Sequence, residues 1–131
     1  MKIIVDTCIW SLVLRRHHQP IDSVVSNLKE LIIEKRVQML GAIRQELLSG
    51  ITIHAHFEKL KIDLRAFPDL ELESQDFELA AEYFNTCRSQ GIQGSNTDFL
   101  VCAVATRSNM GIYTTDKDFQ LFAKHLPLTL L

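Results

Sequence analysis

Short apolar runs alternate with amphipathic segments along the whole chain, and this alternation restricts the fold more than any other feature. Lys2 to Val5 is a β-branched run, followed by Thr7 to Leu14, which reads as a helix. Asp22 to Lys35 places Val25, Leu28, Leu31 and Ile32 at helical spacing. Val37 to Leu40 is a second strand ended by Gly41, and Ala42 to Ser49 a short helix stopped by Gly50. His56 to Phe67 is a helix that stops before Pro68, because the residue preceding proline disfavours helix. Leu70 to Glu73 is a weakly patterned third strand. Asp76 to Gln90 is an amphipathic helix with Phe77, Ala80, Ala81, Phe84 and Cys87 on one face and Gly91 after it. Thr97 to Ser108 is apolar almost all round and is therefore expected to be buried. Gly111 to Thr114, Lys117 to His125 and Leu128 to Leu130 complete the series as strand, helix and strand. Such alternation predicts an α/β fold with a parallel sheet covered on both faces.

At 131 residues the chain has the length of one domain, residues 1–131, and can bury a core without staples. Its three cysteines form no CxxC pair, which points away from a disulfide framework or a zinc site and toward a reducing cytoplasm. An acid at position 6 interrupts any signal-peptide core, and no apolar run approaches the roughly 18 residues that span a bilayer. The expectation is a soluble cytoplasmic protein with no membrane contact. A net charge of −2 excludes a polybasic binder, whose affinity comes from excess cations.

The acids carry the functional signal. Parallel sheets bind ligands beyond the carboxyl ends of their strands. Asp6 ends the first strand; Asp116 and Asp118 follow the fourth; Asp98 opens the buried helix that leads into the fourth. Glu46 shares a helical stripe with Ala42, Ile43, Leu47 and Gly50 rather than with Arg44, and an unpaired acid on an inner face is costly. Each has a plainer reading. Asp6 can cap a helix, Ser95-x-x-Asp98 and Thr115-x-x-Asp118 both fit a capping box, and Asp116 suits a turn. For Asp118 alone capping is the better account.

Two carboxylates about 4 Å apart repel by roughly 4 kcal/mol at an effective dielectric of 20. Either these acids do not converge, or some are protonated, or divalent cations sit among them. An oxygen-only donor set suits Mg²⁺ or Mn²⁺ rather than zinc. Such ions activate a water and hold a phosphodiester for in-line displacement, so a weakly acidic chain is able to act on a polyanion. Two other readings use the same acids: a non-catalytic module that grips RNA or a partner, and a Mg²⁺-dependent phosphotransfer domain. The latter fits poorly, because Asp6 is followed by Thr7-Cys8 rather than by a second acid two residues on.

At these residues the sequence resembles the PIN-domain ribonucleases, most closely the VapC-like toxins of toxin–antitoxin systems. The matching segments are Ile3-Ile4-Val5-Asp6-Thr7-Cys8-Ile9-Trp10, Ile43-Arg44-Gln45-Glu46-Leu47-Leu48-Ser49-Gly50, Thr97-Asp98-Phe99-Leu100-Val101-Cys102-Ala103-Val104-Ala105 and Ile112-Tyr113-Thr114-Thr115-Asp116-Lys117-Asp118-Phe119. Each block alone is weakly specific; four in order, over the whole chain, are strongly so. The resemblance implies a three-layer fold with a parallel five-stranded sheet of order 3-2-1-4-5. It also implies a metal-dependent endoribonuclease site at Asp6, Glu46, Asp98 and Asp116, with Asp118 as an additional metal ligand. Homodimers and inhibition by a small cognate antitoxin complete what it implies.

Thr7, Ser95, Asn96 and Thr114 flank the acids and are candidates to hold ligands or waters, although capping and turn formation account for each singly. Arg15 and Arg16, in the densest cationic run, are candidate RNA contacts against the alternative of a solvated loop. His54-Ala55-His56 reads as a solvated loop, Trp10 as a packing residue, Cys102 as inert, and Cys8 as a poor nucleophile for want of a nearby His. Setting aside the five proposed ligands leaves 11 acids against 14 cations, so the formal charge understates how the metal-loaded chain would meet RNA.

Overall fold

A computed structural model describes residues 1–14 and 22–131. In chain order the elements are β1 (Ile3–Val5), α1 (Thr7–Leu14), α2 (Asp22–Ile33), β2 (Val37–Gln38), α3 (Gly41–Leu48) and α4 (His54–Leu64). They continue with α5 (Ser74–Ser89), α6 (Asn96–Arg107), β3 (Gly111–Tyr113) and α7 (Asp118–Phe122). The strands form a parallel sheet of order β2-β1-β3, with Ile3 opposite both Val37 and Gly111, and Val5 opposite Tyr113. All three residues of β1 are fully buried. The β-branched run at the start of the chain is therefore the centre of the sheet, apolar on both faces because both are covered.

The expected five-stranded sheet is corrected to three strands among the described residues. The segments proposed as outer strands contribute one bridge each, Asp69 beside Met39 and Leu130 beside Ile112, both parallel. Leu70 N–H donates to the Met39 carbonyl at 3.0 Å and Leu131 N–H to the Ile112 carbonyl at 2.9 Å. Pro68 and Pro127 each precede their segment closely, and a proline supplies no ladder donor, so the pairing does not extend.

Helix α6 forms the core. Phe99 to Ala105 are all buried, as its unbroken apolar character requires. Phe99, Phe119 and Phe122 are fully buried together, with the Phe99 and Phe122 rings 4.8 Å apart. Gly91 (φ 73°) and Gly50 (φ 88°) lie just past α5 and α3 in the left-handed region that ends helices, as their positions predict.

Helix α5 departs from expectation. Phe77 is 55% exposed and Ala81 is exposed, whereas Asp76 is buried on the inner side with Cys87. The inward rotation of Asp76 is offset by pairing: Arg107 Nη1 donates to its Oδ1 at 2.7 Å and the Glu73 N–H to its Oδ2 at 2.8 Å. His54 and His56 do not lie in a loop; they occupy the first turn of α4, both exposed. Among the described residues, no helix is long and apolar enough to cross a membrane.

Candidate active site

The parallel register sends the carboxyl ends of all three strands to one edge, and the acids follow from that. Asp6 directly follows β1, where its N–H donates to the Tyr113 carbonyl at 2.9 Å. Its side chain is 6% exposed and fully engaged. Oδ1 accepts the Thr7 N–H at 2.8 Å; Oδ2 accepts the Thr114 hydroxyl at 2.8 Å and the Cys8 thiol at 3.3 Å. A carboxylate held by this many donors is fixed in direction.

Glu46 projects from α3. Ile43 and Leu47 on the same helix are buried, but Glu46 itself is exposed, so the costly inner-face position expected for it does not arise. Its Oε1 instead accepts the Thr7 hydroxyl at 2.7 Å. Thr7 thus touches two of the acids, one through its backbone and one through its side chain.

Asp98 stands in the first turn of α6 in a complete capping box. Its N–H donates to Ser95 Oγ and its Oδ2 accepts the Ser95 N–H, both at 3.0 Å. Burial pushes the Asp98 carboxyl above the ordinary carboxylate range, the Ser95 hydrogen bonds oppose the shift, and the charges of Asp6 and Asp116 add to it. Asp116 follows β3, where its N–H donates to Thr114 Oγ1 at 3.0 Å. The Thr114 hydroxyl is therefore a bridge, accepting from Asp116 and donating to Asp6.

These four acids line one open pocket of about 650 Å³ together with Thr7, Cys8, Ser11, Ala42, Gln45, Ser49 and Thr97. Among the described residues, no Lys or Arg lines it. Among the described residues, no group of three or more His, Cys, Asp or Glu side chains stands close enough together to hold a metal ion as the side chains are placed. Local bonds fix the direction of two of the acids: Thr7 ties Glu46 to α1, and Ser95 ties Asp98 to the start of its own helix.

The other sequence candidates are distributed as follows. Asp118 is exposed and does not line the pocket; its N–H donates to Asp116 Oδ1 at 2.9 Å, so it acts on the acid through its backbone. The Thr115–Asp118 capping box is not formed, because α7 begins only at Asp118. Ser95 and Thr114 hold Asp98 and Asp6 as described, whereas Asn96 lines a neighbouring groove. Arg15 and Arg16 lie outside the described residues. Sequence reasoning missed Ser11, Gln45, Ser49 and Thr97; Ser11 is one turn beyond Thr7, and Ala42, Glu46 and Ser49 are one turn apart on α3, a spacing that was available. It also missed the Cys8 thiol as a donor to Asp6.

Fold and pocket together define an α/β protein with an acid-lined cleft beyond the carboxyl ends of a parallel sheet. The PIN domain family profile matches residues 3–125, and the chain belongs to that family. The structure superposes on FitAcB from Neisseria gonorrhoeae with a TM-score of 0.77 at 21% identity, covering 98% of this chain and 96% of that one. It superposes on VapBC2 from Rickettsia felis, bound to a DNA fragment from their promoter, with a TM-score of 0.77 at 19% identity, covering 100% and 98%. For VapBC-1 from nontypeable Haemophilus influenzae the TM-score is 0.71 at 17% identity, covering 100% and 97%. No curated protein matches the chain in sequence.

Proposed function

We infer that this chain is a metal-dependent endoribonuclease, the toxin of a toxin–antitoxin pair. The observation that carries the reading is the gathering of Asp6, Glu46, Asp98 and Asp116 in one open pocket without a lining cation among the described residues. The donor set fits a hard divalent ion: all four groups are carboxylates, and the raised titration of Asp98 reflects burial and like charge that a cation would relieve. Mg²⁺ or Mn²⁺ would be held by these four residues, with Asp118 supporting Asp116. When bound, the ion supplies charge neutralisation for the scissile phosphodiester and a lowered pKa for water.

The chain's own residues do the rest. Thr7 and Thr114 orient Glu46 and Asp6, and the Ser95 hydrogen bonds orient Asp98 and oppose the upward shift of its carboxyl. One of the exposed carboxylates is positioned to accept the proton of an attacking water, with Glu46 the most accessible by its place on α3. Belonging to the PIN family and superposing on VapBC and FitAB assemblies support a small antitoxin as partner and RNA as substrate. The homodimer belongs to the same proposal.

Metal-titrated cleavage of tRNA and ribosomal RNA fragments tests it. Cleavage is expected to stop with EDTA, return with Mn²⁺, and be absent in Asp6→Asn. Cleavage that persists in Asp6→Asn, with contaminating nucleases excluded, overturns the site; RNA binding without any cleavage by the wild-type chain favours the non-catalytic module.

A further inference from the structure

A second groove of about 420 Å³ runs between α5 and α6, and it adjoins the acid pocket at Thr97, which lines both. Its apolar surface includes Phe77, Phe84 and Leu100; Asn85 and Asn96 contribute carboxamides. Phe77 is 55% exposed, a large aromatic ring in water on a helix that otherwise turns apolar side chains inward. Phe84 is braced from within by the Phe99 ring at 5.5 Å, and the Arg88 guanidinium lies 5.7 Å from its centroid. The groove therefore combines an exposed aromatic ring, two carboxamides able to donate and accept, and a nearby cation.

We propose that this groove is a nucleobase subsite that takes an unpaired base of the RNA strand beside the scissile phosphate, with Phe77 as the stacking ring. The proposal rests on the ribonuclease reading for its substrate and adds where the strand is gripped. A base has an apolar face and polar edges, and stacking on an aromatic ring with edge contacts to carboxamides is how single-stranded RNA is held. A paired base offers neither face, so the subsite selects loops and single strands over duplex. Adjacency favours this occupant: a strand with a phosphate at the acid pocket lies beside Thr97 and Asn96, the two residues before Asp98 on α6, which line the groove with Phe77. Charge agrees, since the Arg88 guanidinium stands beside the Phe84 ring that lines the groove.

The test is binding of a short single-stranded RNA carrying 2-aminopurine, measured in EDTA so that it does not depend on cleavage. The wild-type chain is expected to quench the probe by stacking, and Phe77→Ala to weaken binding by about five- to tenfold. Asn85→Ala is expected to alter preference among the four bases at the quenched position. In the presence of Mn²⁺, Phe77→Ala should raise KM for RNA while leaving turnover of bis(p-nitrophenyl) phosphate, which has no base, unchanged. Phe77 is exposed, so the variant is expected to fold, and its melting curve verifies this. Unchanged RNA affinity in folded Phe77→Ala overturns the subsite. So does a change only in sedimentation, with RNA affinity unaltered at fixed oligomeric state, because the groove then belongs to a second copy of the chain. Failure of the ribonuclease reading appears separately, as no hydrolysis of either substrate while stacking persists.

Discussion

The Thr7 hydroxyl donates a 2.7 Å hydrogen bond to Glu46 Oε1, joining the first turn of α1 to α3 across 39 positions of sequence. The same residue's N–H holds Asp6. One threonine therefore fixes the direction of two carboxylates, one just past β1 and one on α3, through two neutral donors.

Removing that hydroxyl should loosen the site without loosening the fold. Thr7→Val is expected to reduce Mn²⁺ affinity by about tenfold or more, with a similar loss of cleavage, whereas Thr7→Ser retains both. Calorimetric Mn²⁺ titration beside a melting curve checks this; a large fall in Tm with unchanged metal affinity would assign Thr7 to structure alone.

Asp98 should make the metal-free protein sensitive to pH. Burial, with like charge from Asp6 and Asp116 adding, raises its carboxyl above the ordinary 3.8 in the folded state. The native chain then holds the proton more tightly than the unfolded chain, so this contribution is full below that ordinary value and is lost as pH rises through the raised one. In EDTA, Asp98→Asn is expected to melt higher than wild type near neutral pH and to lose the difference near pH ~4. Added Mn²⁺ should raise the wild-type Tm and leave the variant unmoved. Cleavage by the variant should be abolished.

The Asp76–Arg107 pair should behave as a structural clamp between α5 and α6. Asp76 is 4% exposed, and its pairing holds the Arg107 guanidinium firmly charged. Arg107→Ala leaves that carboxylate buried without its cation and is expected to lower the denaturation midpoint, the partial exposure of Arg107 tempering the loss. Chemical denaturation measures it. Mn²⁺ affinity should be unchanged, since neither residue lines the acid pocket.

The three thiols should separate by accessibility. Cys87 and Cys102 are fully buried, and burial pushes both thiols up, that of Cys102 further because Asp98 is near. Only Cys8, at the pocket wall, is expected to react with a maleimide in the native state, and Mn²⁺ should slow that reaction by closing the acids over it. Labelling of two or three thiols without denaturant would contradict the packing of α6.

Local pattern was enough to locate most of what matters. The run Ile3-Ile4-Val5 announces a strand buried on both faces, and Phe99 to Ala105 announces a buried helix, because neither leaves a polar side for water. The Ser95–Asp98 capping box was legible from a spacing of three residues, since the bonds that form it are local. The Thr115–Asp118 spacing was identical and formed no box: α7 begins later, and the Asp118 N–H turns to Asp116 instead. The Phe77 face of α5 misled for another reason. Periodicity ranks residues by hydrophobicity, whereas burial of Asp76 was decided by a cation 31 residues away.

By itself the sequence determined the strand–helix alternation, the parallel class of the sheet and the identity of the acids, because these follow from nearest-neighbour patterning and from the scarcity of reasons to place carboxylates at strand ends. Only the tertiary structure decided that the acids share one cleft, that Thr7 and Thr114 tie them together, and that the outer strands shrink to single bridges. Those outcomes depend on contacts between segments tens of residues apart, whose geometry is set by how α3 and α6 pack beside the sheet rather than by any spacing within a segment.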